Sequence, residues 1–522
     1  MKVALGKPQM PPHAKGPNHL RGSEKFQKAA HHELDNVTKR RNLNYATTAI
    51  RVKRQNVVDE LDDWQQLRNA GSSIKQDVGA RMPELLEEFE RNVTARGGHV
   101  HWARDAKEAN EIIAGLIEET GETDVVKIKS MATQEIALNE ELEKRGISAQ
   151  ETDLAELIVQ LGEDFPSHIL VPAIHRNRSE IRNIFVDKMP NTVESLTTDP
   201  AELAEAARQY LREQFMKAKV AISGVNFGIA ETGTVSIVES EGNGRMCLTM
   251  PETLISVMGI EKLLPTFQDL EVFLQLLPRS STGERMNPYT SLWSGVTEGD
   301  GPQNFHIVLL DNGRTAALSN EIGREALKCI RCSACLNVCP VYERAGGHSY
   351  GSTYPGPIGA ILTPQLTGME DLNDPNSSLP YASSLCGRCN EVCPVKIPIT
   401  DILLEMRHQK VEQHNPPLES KAFGLIAMMW GKPKLWDKAV RMVALGRVLG
   451  GFKGEISSMP APINGWTDYR DVAVPPKKSF RQWWETDEAR DLLAAERKRG
   501  VPGRDSEANK TDFVDPNTGE DK

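Results

Sequence analysis

The sequence predicts an α/β domain joined to a helical domain built around clustered cysteines, with further helices at both ends. Three observations predict it. Short strand-like runs alternate with amphipathic helical runs between residues 81 and 314. Seven of the eight cysteines lie between residues 329 and 393. The runs beside the cysteine motifs, NEIGREALK and ITDILLEMRHQK, have helical character.

Residues 1–80 read as a polar helical arm, with VVDELDDWQQLRNAG an amphipathic stretch. The first sixty residues hold twelve Lys or Arg against five Asp or Glu. Such a surplus is either a solvated helical face or a docking segment for an acidic partner or an anionic membrane surface.

The α/β domain is expected over 81–314. HVHWA reads as a strand after the Gly97-Gly98 turn. DAKEANEIIAGLIEETG follows as a helix with Asp105 as its N-cap. VVKIKS is the next strand, MATQEIALNEELEKRG the next helix and ISAQETD another strand. Strand–helix–strand units of this kind build a parallel sheet. DPAELAEAARQYLREQFMKA is a long helix, VAISGVNFGIAETGTVSIVES a pair of strands around a Gly-rich bend, and HIVLLDNGR a closing strand and turn. The cysteine domain is expected over 315–410, a helical region over 411–490 and a charged, disordered tail over 491–522.

At 522 residues the chain has room for several domains, and its composition is that of an ordinary globular protein. A net charge of −10 argues against nucleic acid as a partner. No apolar run reaches the roughly 18 residues that span a bilayer, and MKVALGKPQMPPHAKG has no apolar core of signal-peptide length. The expected compartment is the cytoplasm, with contact at the inner face of the membrane as the alternative. FGLIAMMWG and AVRMVALGRVLGG are expected to be core or subunit-contact helices.

Cys329, Cys332, Cys335 and Cys339 read C-x2-C-x2-C-x3-C-P, and Cys386, Cys389 and Cys393 read C-x2-C-x3-C-P. The first is the bacterial ferredoxin pattern, in which the fourth cysteine ligates the other cluster. Zinc sites usually pair C-x2-C units across a gap, and disulfides belong to secreted domains. The spacing therefore points to two iron–sulfur clusters of the 4Fe–4S kind. Cys329, Cys332, Cys335 and Cys393 are expected to hold the first, and Cys339, Cys386 and Cys389 the second. The proline after each run is expected to stop the local turn or helix. The second cluster lacks one cysteine. Ser383 occupies the position of the missing ligand; a different side chain, a small molecule or a 3Fe–4S form are the alternatives. Cys247 reads as a buried apolar residue.

In the α/β domain, Gly228, Glu231, Gly233 and Thr234 lie at a bend suited to an anionic ligand, with Glu231 as its acid and the one catalytic candidate. Lys127, Lys129, Ser130 and Asn139 form a second candidate anion site at a strand-to-helix junction. Ordinary turn and surface roles account for these residues equally well. His168, His175 and His306 read as locally hydrogen-bonded. No dinucleotide fingerprint, P-loop or HExxH is present.

VVKIKSMATQEIALNEELEKRGI, PSHILVPAIHRNRSEI, GIAETGTVSIVESEGNGR and HIVLLDNGR resemble the LUD domain. Together with CIRCSACLNVCPVY and SLCGRCNEVCPVKIPI they resemble the LutB-type (LldF) iron–sulfur subunit of bacterial L-lactate utilization. The resemblance implies a NagB/RpiA/CoA-transferase-like fold followed by an α-helical ferredoxin. It also implies a cysteine-rich LutA-like subunit, a LutC-like LUD subunit and a respiratory electron acceptor. The expected role is to relay electrons during oxidation of L-lactate to pyruvate, without being catalytic alone. The alternatives are a LUD domain that binds or transforms an acid or thioester, with structural or regulatory clusters, and a relay for another 2-hydroxy acid such as glycolate.

Overall fold

The computed structural model describes residues 11–499, apart from 415–416, 451–453, 461–462 and 468–469. The chain divides into two compact units, one up to Gln413 and one from His414. The arm, the α/β region and the cysteine region all belong to the first.

The arm comprises α1 (Phe26–Leu34), α2 (Val37–Asp59) and α3 (Trp64–Ala80), and α4 (Met82–Thr94) opens the α/β region. VVDELDDWQQLRNAG is therefore split rather than continuous. The turn between α2 and α3 sends Trp64 into the core beneath Arg54. Leu20, Phe26, Leu43 and Trp64 share one apolar core with the cysteine loops, so this segment is built into the unit.

The main sheet follows from β1 (His99–Ala103), β2 (Asp124–Lys127), β3 (Ser148–Glu151), β4 (Val220–Gly224), β7 (Thr253–Gly259) and β10 (Asn304–Leu310). Its order is β1-β10-β7-β4-β2-β3, and every pairing is parallel. Parallel sheets are covered on both faces, and separate apolar clusters do this here. Asp105 accepts a hydrogen bond from the Glu108 amide and starts α5 (Ala106–Thr120). A smaller sheet joins β5 (Phe227–Ile229), β6 (Thr234–Glu239), β8 (Leu263–Leu264) and β9 (Tyr289–Trp293).

The single helix expected over MATQEIALNEELEKRG is two, Met131–Glu135 and Leu138–Glu143. Ala137 breaks it with φ 53°. The Ile136 carbonyl, freed at the break, accepts from the buried Asn110 amide.

The second unit contains helices Pro417–Trp430, Pro433–Val443, Phe480–Trp484 and Asp487–Arg499. Phe423, Trp430, Met442 and Val448 are exposed, so FGLIAMMWG and AVRMVALGRVLGG form no core among the described residues of this unit. The last helix continues into the segment expected to be a disordered tail, whose remainder, 500–522, lies outside the described residues. Among the described residues no helix is long and apolar enough to cross a membrane.

Candidate metal centre and the cavity beside it

The first cysteine run begins after helix Gly323–Leu327 and turns twice through left-handed backbone, at Arg331 (φ 62°) and Ser333 (φ 58°). Helix Ala334–Asn337 carries Cys335. Cys339 caps helix Pro340–Ala345, so Pro340 opens a helix as well as ending the one before it. In the second run Leu385 (φ 55°), Gly387 (φ 80°) and Lys396 (φ 52°) repeat the left-handed turns. Non-glycine residues in this region each cost on the order of 1 kcal/mol and cluster at functional sites. Here the turns aim backbone amides at sulfur. Arg331 N–H donates to Cys329 Sγ at 3.3 Å, Tyr342 N–H to Cys339 Sγ at 3.5 Å and Ile397 N–H to Cys393 Sγ at 3.3 Å.

Cys329, Cys332, Cys335 and Cys393 line one small cavity together with Ser333, Ile358, Val395, Ile397 and Ile399. Cys339, Cys386 and Cys389 are mutual electrostatic neighbours, and Cys335 adjoins Cys389, so the two groups stand side by side. All eight cysteines are free, and Cys386 alone is exposed. Cys247 lies buried in the α/β core, 3.7 Å from the Thr152 hydroxyl.

These residues fit iron–sulfur clusters. Burial pushes the Cys339 and Cys393 thiols up to about 11 and Cys389 up to about 12, and raises Cys332 and Cys335 as well. Bare thiolates are therefore disfavoured here, whereas a coordinating metal deprotonates a thiol outright. The buried hydroxyls of Ser333, in the cavity, and Tyr350, beside Cys335 and Cys339, have no hydrogen-bond partner among the described residues. Both are free to donate to inorganic sulfide.

Cations from the arm close the site. Arg54 Nη2 donates to the Val392 carbonyl at 3.0 Å. Arg68 donates from Nε to the Cys393 carbonyl at 2.9 Å and from Nη2 to the Asn390 carbonyl at 3.1 Å. Both side chains are buried, as is Lys39. The basic segment is thus partly turned inward, toward the cysteines. Sequence reasoning missed this, because charge counts say nothing about which face a helix buries.

Ser383 Oγ accepts from the Leu385 amide at 3.1 Å, which occupies its oxygen in a local turn. Ser383→Ala is expected to leave the spectrum of the second cluster unchanged, as EPR of the reduced protein would reveal. An altered signal would place the hydroxyl at the iron.

Glu231 lies exposed on its bend, and its Oε2 accepts from the Phe267 amide at the start of helix Phe267–Ser281. Gly233 (φ 64°) is required there, since a Cβ would fall 2.5 Å from the Val93 amide of α4. Lys127 is buried and paired with Glu151 at 2.6 Å, which also accepts from Asn139 at 3.0 Å. His168 Nδ1 accepts from the Leu170 and Val171 amides, which leaves Nε2 to donate to Asn337 Oδ1 at 3.1 Å. Burial lowers its pKa to about 3, so this ring is a neutral strut onto the cysteine helix. His175 and His348 approach Asp164, but Arg176 and Lys39 pair into the same cluster and account for it without a metal. His306 meets His101 at 3.1 Å.

Lys129 and Ser130 do line a cavity, of about 210 Å³, at the carboxyl ends of β2, β4 and β7. Ligands bind at this end of open parallel sheets. Its far wall is Ile330 and Arg331, between the first two cysteines. Beneath it lies a buried network. Arg314 donates from Nη1 and Nη2 to Glu135 at 2.9 and 3.0 Å, and from Nε to Glu261 at 2.6 Å. Arg331 Nη2 donates to Glu261 at 3.1 Å, and its guanidinium lies 4.7 Å over the Tyr354 ring. Burial raises the Glu261 carboxyl, but Arg314 and Arg331 outweigh it and hold it at about 2.

Residues 86–310 match the LUD domain family, residues 325–397 the 4Fe-4S dicluster domain and residues 405–489 the C-terminal domain of lactate utilisation protein B. The dicluster match spans all seven clustered cysteines, and the chain is an iron–sulfur protein. Lactate utilization protein B of Oceanobacillus iheyensis is 43% identical over 456 residues, 86% of this chain and 94% of that one. Its namesake in Bacillus subtilis is 42% identical over 472 residues, 89% and 96% of the two chains. That of Bacillus licheniformis is 41% identical over 473 residues, 89% and 97%.

Proposed function

This chain belongs to the lactate utilization protein B family, and from that premise we propose that it relays electrons during oxidation of L-lactate to pyruvate. The observation that carries the reading is the pairing of a buried cysteine group with an adjacent group that opens at Cys386. We assign Cys329, Cys332, Cys335 and Cys393 to one cluster. Cys339, Cys386 and Cys389 hold the second, whose remaining position takes a non-cysteine ligand. When bound, the clusters accept and release electrons one at a time. The protein's own groups exclude water, donate hydrogen bonds to sulfur and offset charge.

In this reading the cleavage of the lactate C–H bond belongs to a partner. The partners are a cysteine-rich LutA-like subunit and a LutC-like LUD subunit, in the cytoplasm, with a respiratory carrier as acceptor. Anaerobic EPR tests the relay. Reduced-cluster signals are expected when L-lactate and both partners are added together. Clusters that dithionite reduces and lactate never does would overturn it, and so would turnover of lactate with a dye by the isolated chain.

Arg54 offers a second check. Reduction adds negative charge to an already anionic site, and a buried cation favours it. At an effective dielectric of about 20 such a charge is worth about 1–2 kcal/mol. For a one-electron couple that is about 40–90 mV. Arg54→Met is expected to lower the midpoint potential of the buried cluster by that amount in an EPR-monitored titration, and Arg54→Lys to restore most of it.

A further inference from the structure

The cavity at the carboxyl ends of β2, β4 and β7 plays no part in the relay as described, yet it has the features of a built site. Glycines end two of those strands. A Cβ on Gly224 would fall 2.6 Å from Ser130 Oγ, and one on Gly259 would overlap Glu261 and Arg314. The strand ends are kept bare so that polar groups can line the space.

The charge in it is divided unevenly. Arg314 and Arg331 share theirs with Glu135 and Glu261. Lys262, in the same wall, has no hydrogen-bond or ion-pair partner among the described residues, although Glu261 and Cys329 are its anionic neighbours, so its ammonium can still take a ligand's hydrogen bond. Lys129 Nζ, farther along, is buried without a hydrogen-bond partner and lies 3.8 Å from Glu156. Opposite stand Asp153 and Glu241, whose carboxylates accept from the Lys129 and Leu154 amides. The lining also includes Ile169, Ile237 and Ile330. Cations, hydrogen-bond acceptors and apolar side chains lining one small cavity suit a short organic acid with a hydroxyl or oxo group.

We propose that this cavity binds a 2-hydroxy or 2-oxo monocarboxylate, its carboxylate seated on Lys262 and Arg331 beside the Cys329 loop. The ligand class rests on the lactate reading above; the site rests on the cavity itself. Binding places a small acid next to the buried cysteine group, separated from it by the Arg331 backbone. No bond to the ligand is made or broken in this proposal.

The test is isothermal titration of the anaerobically purified full chain, clusters oxidised, with L-lactate, pyruvate and inorganic phosphate. Saturable binding of lactate or pyruvate is expected, weakened about tenfold or more in Lys262→Met, as for loss of one charged contact. Iron content and EPR spectrum should match the unsubstituted protein, and Lys262→Arg should retain binding. Three results would overturn the proposal: no saturable binding of either acid, equal binding in Lys262→Met, or phosphate bound in preference to both acids. Its fate separates from that of the relay. Lactate-dependent cluster reduction with partners, without binding to this chain, removes the cavity site and leaves the relay. Binding without such reduction does the reverse.

Discussion

Replacing Arg314 by methionine will destabilise the first unit by about 3–5 kcal/mol, the cost of stranding buried charge when one partner of an ion pair is removed. Arg314 is 1% exposed, Glu135 0% and Glu261 1%. The Asn312 amide and the Tyr354 hydroxyl also bond to Glu135, at 2.6 Å each. The network ties together segments after β2, β7 and β10, and Tyr354 extends it to the cysteine region. Methionine fills much of the volume but leaves Glu135 without its cation and Glu261 with Arg331 alone. Unfolding midpoints of the cluster-loaded chain check this. A loss below about 1 kcal/mol would mean that the network is not what holds these segments. Adding Glu135→Gln and Glu261→Gln to Arg314→Met should recover part of the loss. The acid limb has a definite sign. Glu261 sits at about 2, below its ordinary 4.5. Its contribution is therefore complete above about 4.5 and is lost as pH falls through about 2. Glu261→Gln should flatten the dependence there.

Cys393→Ala is expected to remove the cluster of the first motif and spare that of the second, halving the iron bound. The first motif has a fourth cysteine of its own, Cys339, but the cavity lined by Cys329, Cys332 and Cys335 is completed by Cys393. Cys339 instead neighbours Cys386 and Cys389. Cys339→Ala should accordingly alter the other EPR signal. Iron analysis and EPR of the two variants, read against Cys332→Ala and Cys386→Ala, decide the matter. If Cys393→Ala instead removes the signal that Cys386→Ala removes and spares the one lost in Cys332→Ala, each motif serves its own cluster and the crossed assignment is wrong.

The sequence by itself determined the chemistry of the cysteines and the class of the fold. Ligand spacing is a local property, and a left-handed turn at Arg331 or Ser333 changes where sulfurs point without changing which residues carry them. The alternation of β1, α5 and β2 was equally legible, since a half-buried helix shows its period in the chain. Strand β7 was not. Its seven residues are buried on both faces, and a run without alternating solvent exposure has no period to read. The break at Ala137, the split at Trp64 and the Cys386 opening were also decided in three dimensions. So were the roles of charge. Nothing in the sequence set Arg54, Arg68, Glu135, Arg314 or Lys262 apart from the other charged residues. Whether a charged side chain is solvated, paired or left facing a cavity depends on groups far away in sequence. The energy of a buried charge is set by those neighbours, so only the tertiary structure could decide it.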